Sequence, residues 1–277
     1  MARLLAPRLG EALGQPVVVE NRAGSNGNIA AETLLRAGAD GHTLLLGMDS
    51  LVAINPHLFG RAGFDPLRDL VPVASLVSNG MFLVVHPGFP ARSLAEFVEA
   101  ARRASPPLQY ASGGNGSQHH LTMERLKARA GFPLVHVPYK GGAAAVTATV
   151  AGEVVAMMSG TSSAGAIRAG RLRALAVTSP QRSALFPEVP AIAETWPDFE
   201  MVEWYGLFVP AGVPEAVIER LRSEVNTILG AADLRDRLRN GGGLQPWVST
   251  ARDFAARIRL DHARYGQLVR ELGARPD

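Results

Sequence analysis

Short apolar runs alternate with helix-length segments along almost the whole chain, and this alternation restricts the fold more than any other feature. The runs at 16–21 (PVVVEN), 43–48 (TLLLGM), 81–87 (MFLVVHP), 108–112 (LQYAS), 134–139 (LVHVPY), 154–160 (VVAMMSG), 172–179 (LRALAVTS) and 204–212 (WYGLFVPAG) read as strands. Between them, segments such as 29–38, 93–104 and the stretch after Ser117 read as helices, with Ser93 and Glu96 spaced as a capping box. The segment FDPLRDLVPVASLV is expected only to lead into the next strand. Helices at 213–230 and from Thr250 to about Leu272 close the chain. Such alternation predicts an α/β fold with mostly parallel sheets. Runs such as VVVE and LRALAV are apolar on both faces, as a sheet covered on both sides requires. FLVVHP and YGLFVP each end in proline, where a sheet must stop, and are the candidate passages between two lobes.

Composition removes several functions. A chain of 277 residues suits two domains, and 47% apolar residues supply a core and exclude disorder. Gly and Pro break every apolar stretch before it reaches bilayer length. Of 28 basic residues only Lys127 and Lys140 are lysines; the arginines are scattered and offset by 25 acids, leaving a net charge of +3. No basic run with interleaved aromatics marks a nucleic-acid surface. The absence of cysteine excludes disulfides and thiolate chemistry. The opening ARLLAPRLGEALGQP places Leu5, Leu9 and Leu13 on one helix face, while Pro7, Arg8 and Glu11 interrupt any leader-like apolar core.

Ligands of open α/β sheets bind at strand carboxyl ends. Here those ends carry GSNGN, MDS, GGNGS, KGG and TSS, small and polar with little charge. Small residues allow close backbone approach, and free N–H groups at a helix start favour an anion. GGNGSQHH reads either as an anion cradle or as a plain strand-to-helix turn with Ser117 as N-cap. Its glycines do not complete a dinucleotide fingerprint, because His119 stands in the third position, and no P-loop is present. The adjacent His119 and His120 diverge on a helix and make a poor metal pair. His136 lies in an apolar strand, where a buried, satisfied histidine is expected. GTSSAG misses the nucleophile elbow because Ala164 replaces its second glycine. Asp49 and Glu203 have no carboxylate partner at fixed spacing. Trp204 and Tyr205 read as pocket-lining or core aromatics. No catalytic set, metal site or cofactor site emerges, which favours binding over turnover.

Taken together, the strings VVVENRAGSNGNIAAE, ADGHTLLLG, YASGGNGSQHHL, HVPYKGGAAAVTATVAGEV, AGRLRALAVTSPQRSALFPEVPAIAE and WYGLFVPAGVPEAVIERL resemble the Bug-type solute receptors, periplasmic binding proteins of tripartite tricarboxylate transporters. The resemblance runs over nearly all of residues 2–272. It implies a two-lobe type II periplasmic binding fold with two crossover strands, lobe 1 being 1–86 with 208–277 and lobe 2 being 87–207. It implies a small carboxylate held in the inter-lobe cleft and delivered to membrane transporter subunits, with a sensor kinase as a further candidate partner, a monomeric state and no cofactor. By position it assigns ligand contacts to Gly114, Asn115, Gly116 and Ser117, to Tyr139, Lys140 and Gly141, to Ser159, Gly160 and Thr161, and to Met48, Asp49 and Ser50. Relative to that pattern the sequence carries no signal peptide and lacks the first strand and Pro/Gly-rich loop of lobe 1. A shortened chain that binds weakly is therefore expected. A cytosolic sensor on the same fold and an α/β enzyme are the competing readings. Upstream coding sequence separates the first of these, and side-chain-dependent turnover the second.

Overall fold

The computed structural model describes residues 1–22, 24–59, 63–242 and 244–273; Ala23, in the loop RAGSNGN, lies outside them. The strands are β1 (Leu45–Met48), β2 (Leu70–Gly80), β3 (Phe82–Val85), β4 (Gln109–Ser112), β5 (Val135–Pro138), β6 (Ala156–Ser159), β7 (Arg173–Val177), β8 (Val202–Pro210) and β9 (Gln245–Pro246). The chain forms two compact units. The first is Met1–Ser78 with Trp204–Val269; the second is Asn79–Glu203 with residues 270–273. The passages between them fall inside β2 and β8 and near the end of the last helix.

In the first unit the strand order is β1-β8-β2-β9. The opening helix, Ala2–Leu13, buries Leu5 and Leu9 in one core with Leu76, Val209, Leu221 and Val225. The closing helix, Ala251–Leu272, buries Phe254 edge-on against Trp204 and Trp247, with ring centroids 5.2 and 5.6 Å away. Its Asp261, 2% exposed, accepts from Trp204 Nε1 at 2.7 Å and from Arg257 Nε at 2.7 Å. A further helix, Ala232–Gly242, buries Leu234 and Leu238 four residues apart; the sequence reading has no helix there.

The second unit has the order β5-β4-β6-β3-β7 over a core that includes Phe82, Val84, Ala111, Met157 and Val177. The expectation of mostly parallel sheets needs correction. β4 pairs in parallel with β5 and β6, but β3 is antiparallel to both β6 and β7. In the first unit β1–β8 and β2–β9 are antiparallel. The cause is the point of entry. Phe82, the first residue of β3, lies opposite Ser159, the last of β6, so the chain enters the second sheet where its parallel strands end and must run against them.

Two local expectations also change. FDPLRDLVPVASLV, read as a lead-in, contains most of the 11-residue strand β2. PVVVEN is not a strand: residues 16–22 belong to no helix or strand, and Val18 is 80% exposed. A strand needs a ladder partner. β1 ends its sheet with β8 as neighbour, and along Val17 and Val19 runs a cavity of about 1000 Å³, also lined by Leu5, Leu9, Leu34 and Leu45. The segment has the apolar pattern of a buried strand but, among the described residues, pairs with none.

Candidate functional site

The parallel run β5-β4-β6 brings three polar strand ends side by side in the second unit. After β4, the Tyr139 N–H donates to the Ser112 carbonyl at 3.0 Å, which ties the end of β5 to the end of β4. The loop GGNGS then turns on itself. Gly114 and Gly116 have φ of 122° and 70°, a region that L side chains avoid. The Gly114 N–H donates to Ser112 Oγ at 3.1 Å, and the Gly116 N–H donates to His120 Nδ1 at 3.0 Å. Ser117 Oγ accepts from the His120 N–H at 3.3 Å and so caps the Gln118–Ala130 helix. Of the two readings of this loop, the capped turn describes the geometry: the amides of Gly114 and Gly116 are spent inside it. Asn115 is half-buried at its crest.

The open donors lie one strand over. The Gly142–Ala151 helix begins at Gly141, φ 93°, with no side-chain cap. The first N–H groups of a helix have no intrahelical partner, and here Ala143 and Ala144 are exposed. Such a helix start favours an anion. Gly141 and Lys140 are exposed, and the Tyr139 hydroxyl donates to Glu153 at 3.0 Å. Burial first, and then Glu153, hold the Tyr139 hydroxyl above its ordinary pKa.

His119 lies between these strand ends. A Cβ on Gly113 would stand 3.0 Å from its Nδ1, and one on Gly142 3.0 Å from its Cε1, so the ring packs closely on the backbone of both glycines. Burial lowers the His119 pKa, with Glu203 acting in the opposite sense, and Nδ1 has no hydrogen-bond partner. His136 is stacked between Tyr110 and His120, at 5.0 and 4.0 Å, with Nε2 2.6 Å from Ser112 Oγ. It is the satisfied histidine that its apolar strand suggests. Below it the Tyr110 hydroxyl donates to Glu124 at 2.5 Å; burial, then Glu124, push that hydroxyl well above its usual range.

At the end of β6, Ser159 and Gly160 are buried and Thr161 is half-buried. Beside Gly160 stands Glu203, 6% exposed; a Cβ on Gly160 would meet its Oε2 at 2.4 Å. The Asn79 amide donates to Glu203 Oε2 at 3.2 Å, and Asn79 Oδ1, also buried, has no partner. Asn79 escapes sequence reasoning, because 124 residues separate it from Glu203.

In the first unit, Met48 closes β1 opposite Tyr205, and Asp49 and Ser50 begin a short helix. Asp49 is fully buried and accepts from the Ser50 N–H at 2.8 Å. Nearby, Asn55 links Asn26 and Asn28: Asn26 Nδ2 donates to Asn55 Oδ1, and Asn55 Nδ2 to Asn28 Oδ1, each at 2.7 Å. Asn26, with φ 49°, is the non-glycine left-handed residue of that loop. The trio is not legible as a group in the sequence, where RAGSNGN reads as a loop and SLVAINPHLF as a helical or irregular stretch. Among the described residues no group of three His, Asp or Glu side chains could hold a metal ion.

A two-unit α/β protein with polar, small-residue strand ends and an uncapped helix start has the construction of a periplasmic binding protein, and solved structures agree. An R. palustris protein, Rpa4515, solved with adipate, is similar with a TM-score of 0.91 and 31% identity, over 100% of this chain and 93% of that one. MatC from Rhodopseudomonas palustris, solved with bound malate, gives 0.84 and 29% identity over 97% and 92%. Protein BugT of Bordetella pertussis is 34% identical over 99% of this chain and 85% of its own length. The sequence model described as tripartite tricarboxylate transporter family receptor matches residues 1–274, and the chain belongs to that family, the TctC or Bug receptors.

Proposed function

We propose that this chain is an extracytoplasmic solute receptor that binds a small organic acid and delivers it to a tripartite tricarboxylate-type transporter, binding without turnover. The observation that carries the reading is the start of the Gly142–Ala151 helix beside β4 and β6: it has no side-chain cap, Ala143 and Ala144 are exposed, and it lies at the carboxyl end of a parallel strand set. Adipate and malate, the acids in the two solved relatives, are both dicarboxylates. The family supports placement in the periplasm, and among the described residues no helix is long and apolar enough to cross a membrane.

The energetics are adequate. Micromolar affinity needs about 8 kcal/mol. Charge-assisted hydrogen bonds contribute about 1.5–3 kcal/mol each. Three such bonds from the helix start, with burial of the ligand's carbon chain, reach that range. Gly114, Asn115, Gly116 and Ser117 would shape the wall rather than supply donors, apart from Asn115. Lys140 and Thr161 are accessible enough to contact a carboxylate, while Asp49 serves the local helix start. The test is a thermal-shift screen of mono-, di- and tricarboxylates. A ligand at 100 times its Kd adds about 2.7 kcal/mol of stability. A shift with one acid class supports the receptor reading. Flat melts at millimolar concentrations of every acid refute it.

A further inference from the structure

We infer that Glu203 and Asn79 form the seat for an ammonium group, so that the acid taken by this receptor is an amino carboxylate; this rests on the receptor reading above. The two side chains meet at the edge of the second unit, where β2 and β8 pass into it. Glu203 is 6% and Asn79 8% exposed. Among the described residues no Lys, Arg or His forms an ion pair with Glu203; its hydrogen bond is the single one from the Asn79 amide. A carboxylate buried without a cation is costly, and its neighbour adds a second acceptor with nothing to accept: Asn79 Oδ1. His119, which interacts with Glu203, has its pKa lowered by burial, and the Glu203 charge acts in the opposite sense. A buried carboxylate with no cation, beside a buried amide oxygen that accepts nothing, describes a place that a protonated amine completes.

Its position fits the same ligand. Glu203 Oε2 abuts Gly160, at the end of β6. His119, which feels Glu203 on one side, packs on Gly113 and Gly142 on the other, next to the open helix start. The acceptor pair and the carboxylate donors therefore flank one imidazole ring. One end of this site is built for a negative group and the other for a positive one. A simple dicarboxylate would leave Glu203 without its complement.

Calorimetric titration of the protein with matched acids tests this: L-aspartate against succinate, L-glutamate against glutarate, L-alanine against propionate, and L-malate as the hydroxyl counterpart. A buried site built to bond an N–H discriminates strongly against the analogue that lacks it. At least one amino acid should bind about 100-fold more tightly than its des-amino partner and more tightly than the hydroxy acid. Glu203→Gln, which keeps shape and one acceptor, should reduce that preference at least about 10-fold, with folding checked by circular dichroism. Asn79→Leu, which spares the carboxylate, should reduce it less. If the des-amino or hydroxy acids bind as tightly as the amino acids, the inference is overturned and the receptor reading stands. If Glu203→Gln folds and keeps the full preference, Glu203 is not the seat. If no acid of any kind binds, the receptor reading fails and takes the inference with it.

Discussion

A methyl group on Gly160 probes the site through one contact. The backbone there, φ −72° and ψ −154°, accepts an L side chain, so Gly160→Ala introduces no dihedral strain. The new Cβ would stand 2.4 Å from Glu203 Oε2, and the carboxylate would have to retreat by about 1 Å to reach ordinary contact. In a flexible, exposed side chain that retreat would be nearly free. Glu203 is 6% exposed and held at 3.2 Å by Asn79, so moving it breaks the hydrogen bond. A hydrogen bond to a charged group contributes about 1.5–3 kcal/mol, and the expected cost of Gly160→Ala is therefore about 2 kcal/mol. In a Glu203→Ala background the obstacle is gone, and the same methyl should cost less than about 0.5 kcal/mol, the usual scale of a change that meets no such feature. The cycle thus predicts a coupling of about 1.5 kcal/mol or more between positions that contact each other. Urea midpoints followed by tryptophan fluorescence give all four stabilities, with Trp196 in the second unit and Trp204 and Trp247 in the first. Equal penalties for Gly160→Ala in the two backgrounds would refute the contact, and with it the placement of the carboxylate against the end of β6.

Other consequences follow from the same geometry. Asp261→Ala leaves the Trp204 indole N–H and Arg257 without their buried acceptor and should destabilise by about 3–5 kcal/mol, whereas Asp261→Asn, which keeps an oxygen for the indole, should cost clearly less; denaturant melts decide. Gly206→Ala would set a Cβ 2.3 Å from the Phe254 ring, itself wedged against Trp204 and Trp247, and should cost about 1–3 kcal/mol by overpacking, visible as a lowered Tm. Burial depresses the pKa of His119 and His262. The unfolded chain therefore binds protons first, and stability present above about pH 6.5 is lost as the pH falls toward their folded values, with a slope of up to about 1.4 kcal/mol per pH unit for each histidine. Urea melts between pH 7.5 and 5 should show the loss, and His119→Asn should flatten it; an unchanged slope would mean that His119 charges freely in the fold. Ser117→Ala removes the cap of the Gln118–Ala130 helix and should cost about 0.5–2 kcal/mol in the same melts.

Much of the architecture is legible along the chain because it is written in local periodicity. The helices at Asn28–Ala37, Leu94–Arg103 and Gln118–Ala130 stand where apolar spacing and capping residues place them. Ser93 accepts from the Glu96 N–H as a cap should, although Glu96 reaches back to the Arg92 N–H rather than to that of Ser93. The site is only partly legible. GGNGS stands out as a glycine-rich loop, but whether its amides face a ligand or its own serine and histidine depends on where His120 lies once the helix is formed. Asn79 and Glu203 come together only when β2 and β8 have both been laid down.

The sequence by itself determined the alternation of strands and helices, the small polar strand ends, the lack of a thiol and the helix caps, because each depends on residues within a few positions of one another. Tertiary structure decided what depends on distant neighbours. PVVVEN has every residue a strand needs and forms none, since a strand exists only by pairing. β3 runs antiparallel because of where the chain enters its sheet. Asn79 and Glu203, 124 residues apart, are buried together only in the folded chain, which also leaves Asn79 Oδ1 without a partner.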